Sequence, residues 1–349
     1  MIDIYSEKER DIQKIIELSK FHKIFFHENL QIKKISKDNY GIFAKNEIFK
    51  NEKLLALPNN MFIDKKIFSE FIIKSEINYP HIELFKSYYN FLPNLDFFKK
   101  SHFLFLNKDN REIIFSFFNH KAPILKKIKR EFDIFDQLSD HEKYIELIFK
   151  TRAFNVGKKE NLFPILDLVN YKYEFDDFFI DKNEVFFKTN IKLKKDEEFY
   201  HKYSNKLNPI LFFISFSFFP ENYLDTFIPK NFFSLNISEN KKDKLDLENW
   251  DIEKDNRIKN KNDIFFHDHI SLDLDVILSE LADNDTEVNK IKKKLIDLLL
   301  NEINQKNLND YLKTDKRDVV YYFAKSVKLQ YLLASKISHK IQHNSTHPF

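Results

Sequence analysis

The 349-residue sequence contains no cysteine, two glycines, two methionines and one tryptophan. Lack of cysteine excludes disulfides and thiolate metal sites, and it fits a reducing compartment. Long apolar runs are missing too. The most apolar run, Ile210 to Phe219, ends at Pro220 and has about half of the roughly 20 residues that a membrane-spanning helix needs. A buried segment is expected there. The first residues, MIDIYSEKERDIQKI, carry charge throughout and no apolar core, so no secretory leader is expected. These absences together point to a cytoplasmic protein. Neither sign of charge dominates: 57 basic residues face 54 acidic ones, for a net charge of +3. That balance gives no strong field and implies no nucleic-acid partner.

What is abundant is phenylalanine, with 40 residues, in a chain also rich in Lys, Asn and Ile. This is a bias of the whole chain, and many Phe are expected to fill core positions that Leu or Val fills elsewhere. The hydrophobic fraction of 43% is ordinary for a chain that buries a core.

Periodicity divides the chain. Residues 7–21 have helical spacing, with Ile12, Ile15, Ile16 and Phe21 on or near one face. From Leu30 to Ile63 the pattern turns strand-like, in the pieces LQIKKI, YGIFA, KLLALP and MFI. Residues 64–150 return to helical patterns. At their end Ser139 and Glu142 form a capping-box signature, and Thr151 and Arg152 close the helix that follows. Short strands resume from about Leu162 to Tyr203, where EVFFKTN and EEFYHKY flank the turn IKLKKD. After a lysine-rich stretch from Glu239 to Asn262, two amphipathic helices are expected. One carries Val288, Ile291, Leu295 and Leu298, and the other Val319, Val320, Phe323 and Val327. Strands split by a helical block indicate an α+β protein.

Four stretches combine chemistry-bearing residues. In Asp38-Asn39-Tyr40-Gly41-Ile42-Phe43-Ala44, Gly41 marks a position where a Cβ is not tolerated. Thr151-Arg152-Ala153-Phe154 places an arginine at a helix end, where most arginines are solvated or dipole-paired. Leu162 to Tyr171 sets Asp167 and Asn170 within an apolar segment, where they must be hydrogen-bonded if buried. Glu197 to Asn208 reads EEFYHKYSNKLN, by itself an amphipathic edge strand with an ordinary tyrosine.

In this order and spacing the stretches resemble the SET-domain family, in the branch of plant Rubisco-lysine and actin-histidine methyltransferases. That branch shows G-x-G-L-x-A, a helical insert, S-R-A-F, P-x-x-D-x-x-N-H, E-E-I-x-x-x-Y-G-x-x-x-N, and a segment like Y-G-F-x-P. Here NYGIFA, TRAF, PILDLVNY, EEFYHKYSNKLN and FSFFP follow in turn, covering about Leu30 to Asn222. Where the family has glycine in two turns, this chain has Asn51 and Asp196. These residue types best tolerate the left-handed region, so the turns are expected to survive.

The resemblance implies a SET fold of short strands in a pseudoknot, with an N-terminal helical segment (1–29), a first SET part (30–63), a helical insert (64–150), a second SET part (151–230) and an all-α C-terminal domain (231–349) that docks substrate. It implies transfer of a methyl group from S-adenosylmethionine to a lysine of a folded protein, leaving S-adenosylhomocysteine, with histidine as the other acceptor in the branch. Tyr203 would be the active-site tyrosine and would also contact the cofactor. Arg152 would hold the cofactor carboxylate. Asp38, Asn39 and Tyr40 would approach the cofactor mainly through backbone, and Asp167, Asn170 and Tyr171 would form the opposite wall. Thr151 and Phe216 would line the substrate channel. No metal is implied, and a monomer acting on a protein is expected.

The chain departs from the pattern at four positions. Asn39 stands for the first glycine, Tyr171 for the histidine after Asn170, Ser204 for the glycine after the tyrosine, and Phe216 for a frequent second tyrosine. The alternative of a different class is a SET-like protein-binding module with weak or no catalysis. A metal enzyme would rest on His267 and His269, or on His339 and His343, and neither pair has an obvious third ligand. Nucleic-acid binding would rest on the slightly basic pI alone.

Overall fold

Most short-range signals in the chain are obeyed locally. A computed structural model describes residues 7–36, 39–74, 77–120, 122–156, 159–172, 179–181, 184–201, 203, 209–218, 234–238, 263–267, 297, 300–314 and 316–344. In chain order the described elements begin with α1 (Glu7–Phe21), β1 (Phe25–Phe26), β2 (Leu30–Ser36), β3 (Asn39–Ala44), β4 (Lys53–Pro58) and β5 (Ile63–Asp64). Six helices follow: α2 (Lys65–Lys74), α3 (Ile82–Phe91), α4 (Leu95–Ser101), α5 (Lys108–Ser116), α6 (Pro123–Asp136) and α7 (Asp140–Arg152). Next come β6 (Phe154–Val156), β7 (Lys159–Leu162), β8 (Asn170–Tyr171), β9 (Phe179–Ile180), β10 (Glu184–Lys188) and β11 (Glu198–His201). The remainder comprises α8 (Pro209–Phe216), β12 (Ser234–Ser238), β13 (Asp263–His267), α9 (Gln305–Leu312) and α10 (Val319–Asn344).

The chain divides into two compact units, one of residues 1–100 and 138–204, the other of residues 101–137 and 205–349. In the first unit, strands distant in sequence interleave. One sheet has the order β1-β4-β10-β9, a second β2-β3-β11-β8, and a third β5-β7-β6. Leu54, Leu55, Ala56 and Leu57 of β4 are all buried, as expected of a strand covered on both faces. In β10 only Val185 and Phe187 are buried, the alternation of a strand with one covered face. The mixed helix-and-strand composition is that of an α+β protein.

Two turns rely on left-handed residues other than glycine. Asn51 has φ 71° and Asp196 φ 65°. Short polar side chains make that region accessible, so the turns keep their geometry without glycine. The expected strand MFI forms differently. Pro58 ends β4, Asn59–Met61 make a 3-10 turn, and pairing resumes only at Ile63, opposite Leu162. A proline has no N–H to continue the ladder.

Aromatic packing replaces aliphatic packing, as the composition suggested. In the first unit Phe68 lies among Phe85, Tyr89, Tyr144 and Phe149, with ring centroids 5.7–6.1 Å apart. In the second, Phe103 stacks on Phe132 at 5.0 Å and meets Phe323 of α10 at 4.8 Å and Phe213 of α8 at 6.1 Å. This cluster ties residues 101–137, within the helical stretch 64–150 of the sequence, to the C-terminal helices. The apolar run is the buried helix α8, in which Ile210, Phe212, Phe213 and Ile214 are core. Val320, Phe323 and Val327 line the buried face of α10. Besides helices, the C-terminal region carries a two-stranded antiparallel sheet, β12 with β13. Val288, Ile291, Leu295 and Leu298 lie outside the described residues, as does His269. No helix among the described residues is long and apolar enough to cross a membrane.

Glu302 provides a test of packing in the second unit. Burial pushes its carboxyl up to about 7, although it accepts a hydrogen bond from the Ile124 backbone at the start of α6. A folded-state value above the ordinary 4.5 means that the folded state binds the proton more tightly. The resulting stability is fully present below pH 4.5 and is lost as pH rises through about 7. Glu302→Gln is therefore expected to raise the melting temperature at pH 8 and to flatten its pH dependence across that window. A lower melting temperature at pH 8 would contradict this reading.

Candidate active site

Three strands meet at Gly41. β3 pairs antiparallel with β2 (Ile32↔Ile42, Lys33↔Gly41) and with β11 (Glu198↔Phe43, Phe199↔Ile42). β11 in turn pairs parallel with β8 (Tyr200↔Asn170, His201↔Tyr171). Parallel pairing is slightly less stable per residue than antiparallel pairing, so a two-residue pair gains from side-chain support. Asn170 supplies it. Its Nδ2 donates to the Tyr40 carbonyl at 3.1 Å and to Glu198 Oε1 at 2.7 Å, joining β8 to β3 and β11. A Cβ at Gly41 would fall on that Glu198 carboxylate oxygen, 2.9 Å from Ile35 Cδ1 and 3.1 Å from Asn170 Nδ2. The obstacle to a Cβ here is therefore the Glu198–Asn170 bridge and the Ile35 side chain rather than an unusual φ, so these side chains must shift if one is added.

The second part of the site comes from a helix end and a strained turn. Ser139 caps α7 with the full capping box: Glu142 N–H donates to Ser139 Oγ, and Ser139 N–H to Glu142 Oε2. The helix ends at Arg152, delivering it to the strands. Arg152 Nη1 donates to Asp167 Oδ2 at 2.8 Å, and the Tyr88 hydroxyl of α3 donates to the same oxygen at 2.8 Å. The Asp167 side chain is 1% exposed and that of Arg152 25%. Among the described residues, Asp167 Oδ1 has no hydrogen-bond partner.

Asp167 is aimed by its neighbour Ile165, which has φ 76° and ψ −40° and is buried. A β-branched residue at positive φ costs on the order of 1–3 kcal/mol and persists only where packing forces it. It turns the chain into the short 3-10 helix Leu166–Leu168, with Leu168 N–H bonded to the Ile165 carbonyl at 3.0 Å.

Burial raises the Asp167 carboxyl, and Arg152 and Tyr88 hold it down against that trend. Burial opposes the charge on Arg152, but Asp167, Tyr88 and Tyr203 together more than offset it and strengthen the guanidinium's hold on its proton. The net direction for the Asp167 carboxyl is upward, burial outweighing its two donors, while arginine keeps its charge.

Tyr203 follows β11. Its ring meets Tyr171 edge-on at 5.3 Å and His201 at 4.8 Å. His201 is 4% exposed and lies against Phe154 at 5.4 Å and Phe187 at 4.9 Å. Burial pushes the Tyr203 hydroxyl well above the ordinary tyrosine range; Arg152 pulls it down, and Asp167 and Glu198 push it further up. These charges therefore share one neighbourhood.

Of the residues expected from the sequence, Tyr40, Arg152, Asp167, Asn170, Tyr171 and Tyr203 belong to this one region of the first unit. Asn39 begins β3, opposite Ser36. Asp38 lies outside the described residues, as does Ser204. Both amide hydrogen bonds of Asn170 serve the strands themselves. The Thr151 hydroxyl donates to the Leu147 carbonyl at 2.7 Å, one turn back in α7. Phe216 belongs to the second unit, where it contacts Phe212 at 4.7 Å.

Sequence reasoning missed Tyr88, His201 and the bridging role of Glu198. For His201 a signal existed: it shares the buried face of β11 with Phe199, two residues away. Tyr88 offered none, being one aromatic in a helix full of them.

No family model and no curated protein matches the sequence. Solved structures do match the fold. The SET domain of LSMT bound to lysine and AdoHcy superimposes with a TM-score of 0.57 at 12% identity, over 97% of this chain and 92% of that one. Rubisco LSMT bound to AdoMet gives 0.57 at 12% identity, over 96% and 92%. Rubisco LSMT bound to sinefungin and monomethyllysine gives 0.56 at 12%, over 98% and 93%.

Gly41→Ala tests the strand junction. Forcing a methyl group against Ile35, Asn170 and Glu198 is expected to cost about 1–3 kcal/mol in denaturant unfolding. Unchanged stability would show that these side chains yield to the methyl group without cost.

The interleaved strands, the Gly41 junction and these matches across nearly the whole chain give one architecture: the protein has the SET-domain fold.

Proposed function

We propose that the chain is an S-adenosylmethionine-dependent protein methyltransferase whose preferred acceptor is a lysine side chain of a folded protein. The observation that carries this reading is the grouping of Arg152, Asp167, Tyr171 and Tyr203 beside the Gly41 junction. The residues fit an amino-acid-bearing cofactor. Arg152 is partly exposed and commits one Nη to Asp167, leaving further donors for a carboxylate. Asp167 Oδ1 is a buried acceptor without a partner, suited to a cationic or N–H donor. S-adenosylmethionine, when bound, supplies the methyl group.

The chain's own residues prepare the acceptor. A free lysine has a pKa near 10.4, so at pH 7 only about one amine in 10³–10⁴ is neutral. An apolar aromatic lining favours the neutral form by desolvation. Tyr171, His201 and Phe154 provide such surroundings near Tyr203. The Tyr203 hydroxyl stays protonated throughout the physiological range, so it is not a base. Its oxygen would accept an N–H of the neutral amine and so hold the amine in one orientation with its lone pair free. Alignment of this kind is a major source of rate acceleration. The C-terminal helical region offers the surface on which a protein substrate docks, and the chain acts as a monomer.

Tyr203→Phe is expected to abolish methyl transfer while cofactor binding survives; wild-type turnover in that variant would sink the assignment. Arg152→Ala should weaken binding of S-adenosylhomocysteine by about 1.5–3 kcal/mol, the value of a charge-assisted hydrogen bond. Calorimetry showing equal affinity would remove Arg152 from the cofactor site.

A further inference from the structure

We propose that Tyr88 is a positioning residue for Arg152, acting through Asp167; this rests on Arg152 holding the cofactor carboxylate. Tyr88 lies in α3, distant in sequence from every motif of the site, and its side chain is fully buried. A buried hydroxyl costs stability unless it is bonded. In a chain that packs its cores with 40 phenylalanines, simple filling needs no hydroxyl here. Among the described residues the hydroxyl has one hydrogen-bond partner, Asp167 Oδ2, at 2.8 Å.

That oxygen also takes Arg152 Nη1 at 2.8 Å. A carboxylate held by one donor is free to rotate about its last bond and to exchange its two oxygens. With two donors, from α3 and α7, converging on one oxygen, the rotation is fixed. The backbone beneath is fixed as well, because Ile165 at φ 76° sets the turn that carries Asp167. Arg152 ends a helix and is partly exposed, so this anchor settles where its remaining N–H groups point. Oδ1 is thereby left without a donor among the described residues. Tyr88 touches neither cofactor nor acceptor in this scheme.

The ionisable groups around this chain of contacts are known. Asp167 is faced by Arg152 from α7 and Tyr88 from α3, and Tyr203 senses both Asp167 and Arg152. Tyr144 of α7 acts on Tyr88, and Glu198 of β11 on Tyr203. The Tyr88 hydrogen bond lowers the Asp167 carboxyl, so its removal moves Asp167 protonation to higher pH. Protonated Asp167 releases Arg152.

The test is calorimetry of S-adenosylhomocysteine with the full chain and with Tyr88→Phe, across a pH series, beside melting temperatures. Phenylalanine keeps the ring and removes only the hydroxyl. The variant is expected to bind about three- to tenfold more weakly at neutral pH. The acidic limb of its binding profile should lie at higher pH than in the wild type. A lower melting temperature with unchanged affinity and an unmoved limb would assign Tyr88 to packing alone and overturn the proposal. Absence of binding by the wild-type chain would overturn the cofactor reading itself, and this inference with it.

Discussion

The close approach of β3 to β11 and β8 is the constraint on which the site depends. Asn170 fastens it by bonding the Tyr40 carbonyl and the Glu198 carboxylate at once, and Gly41 leaves room for that bridge. Only with these strands in contact do the ends of β8 and β11 bring Tyr171 and Tyr203 together. A two-residue parallel strand has little stability of its own, so the amide bridge and the absent Cβ do what a long hydrogen-bond ladder does elsewhere. Arg152 and Asp167 then form a second, ionic fixture in the same unit.

Scarcity of glycine shapes how the fold is reached. Two turns use Asn51 and Asp196 at positive φ, where short polar side chains bear the conformation at low cost. Ile165 bears it at high cost, and that strain lies two residues from Asp167. Glycine remains at position 41, where a Cβ would meet the Glu198, Ile35 and Asn170 side chains. Phenylalanine fills both cores, so the bias of the chain is absorbed by packing while the arrangement of elements is kept.

Legibility in the sequence followed the range of the interactions. α1, β2, β3, β4 and the capped helix α7 were readable because periodicity and capping are local. The buried character of α8 was readable from its apolar run. Motif order located Gly41, Arg152, Asp167, Asn170 and Tyr203, but not their division of labour. That Asn170 spends its amide on the strands, and Thr151 its hydroxyl on its own helix, depends on geometry that spacing does not contain. Tyr88 was invisible, because a single hydrogen bond across 79 positions leaves no pattern in either segment. Residues 101–137 read as part of one helical insert, yet Phe103 and Phe132 pack with Phe213 and Phe323, a partnership that appears only in three dimensions.

The proposed activity, methyl transfer to a protein amine, is read by incubating the purified chain with S-adenosylmethionine labelled in its methyl group and an extract of the source cells lacking the gene. The modified protein is then hydrolysed and its amino acids separated. Label is expected in N-methylated lysine of a discrete protein, dependent on the added chain. No chain-dependent label in protein, or label confined to nucleic acid, would contradict it.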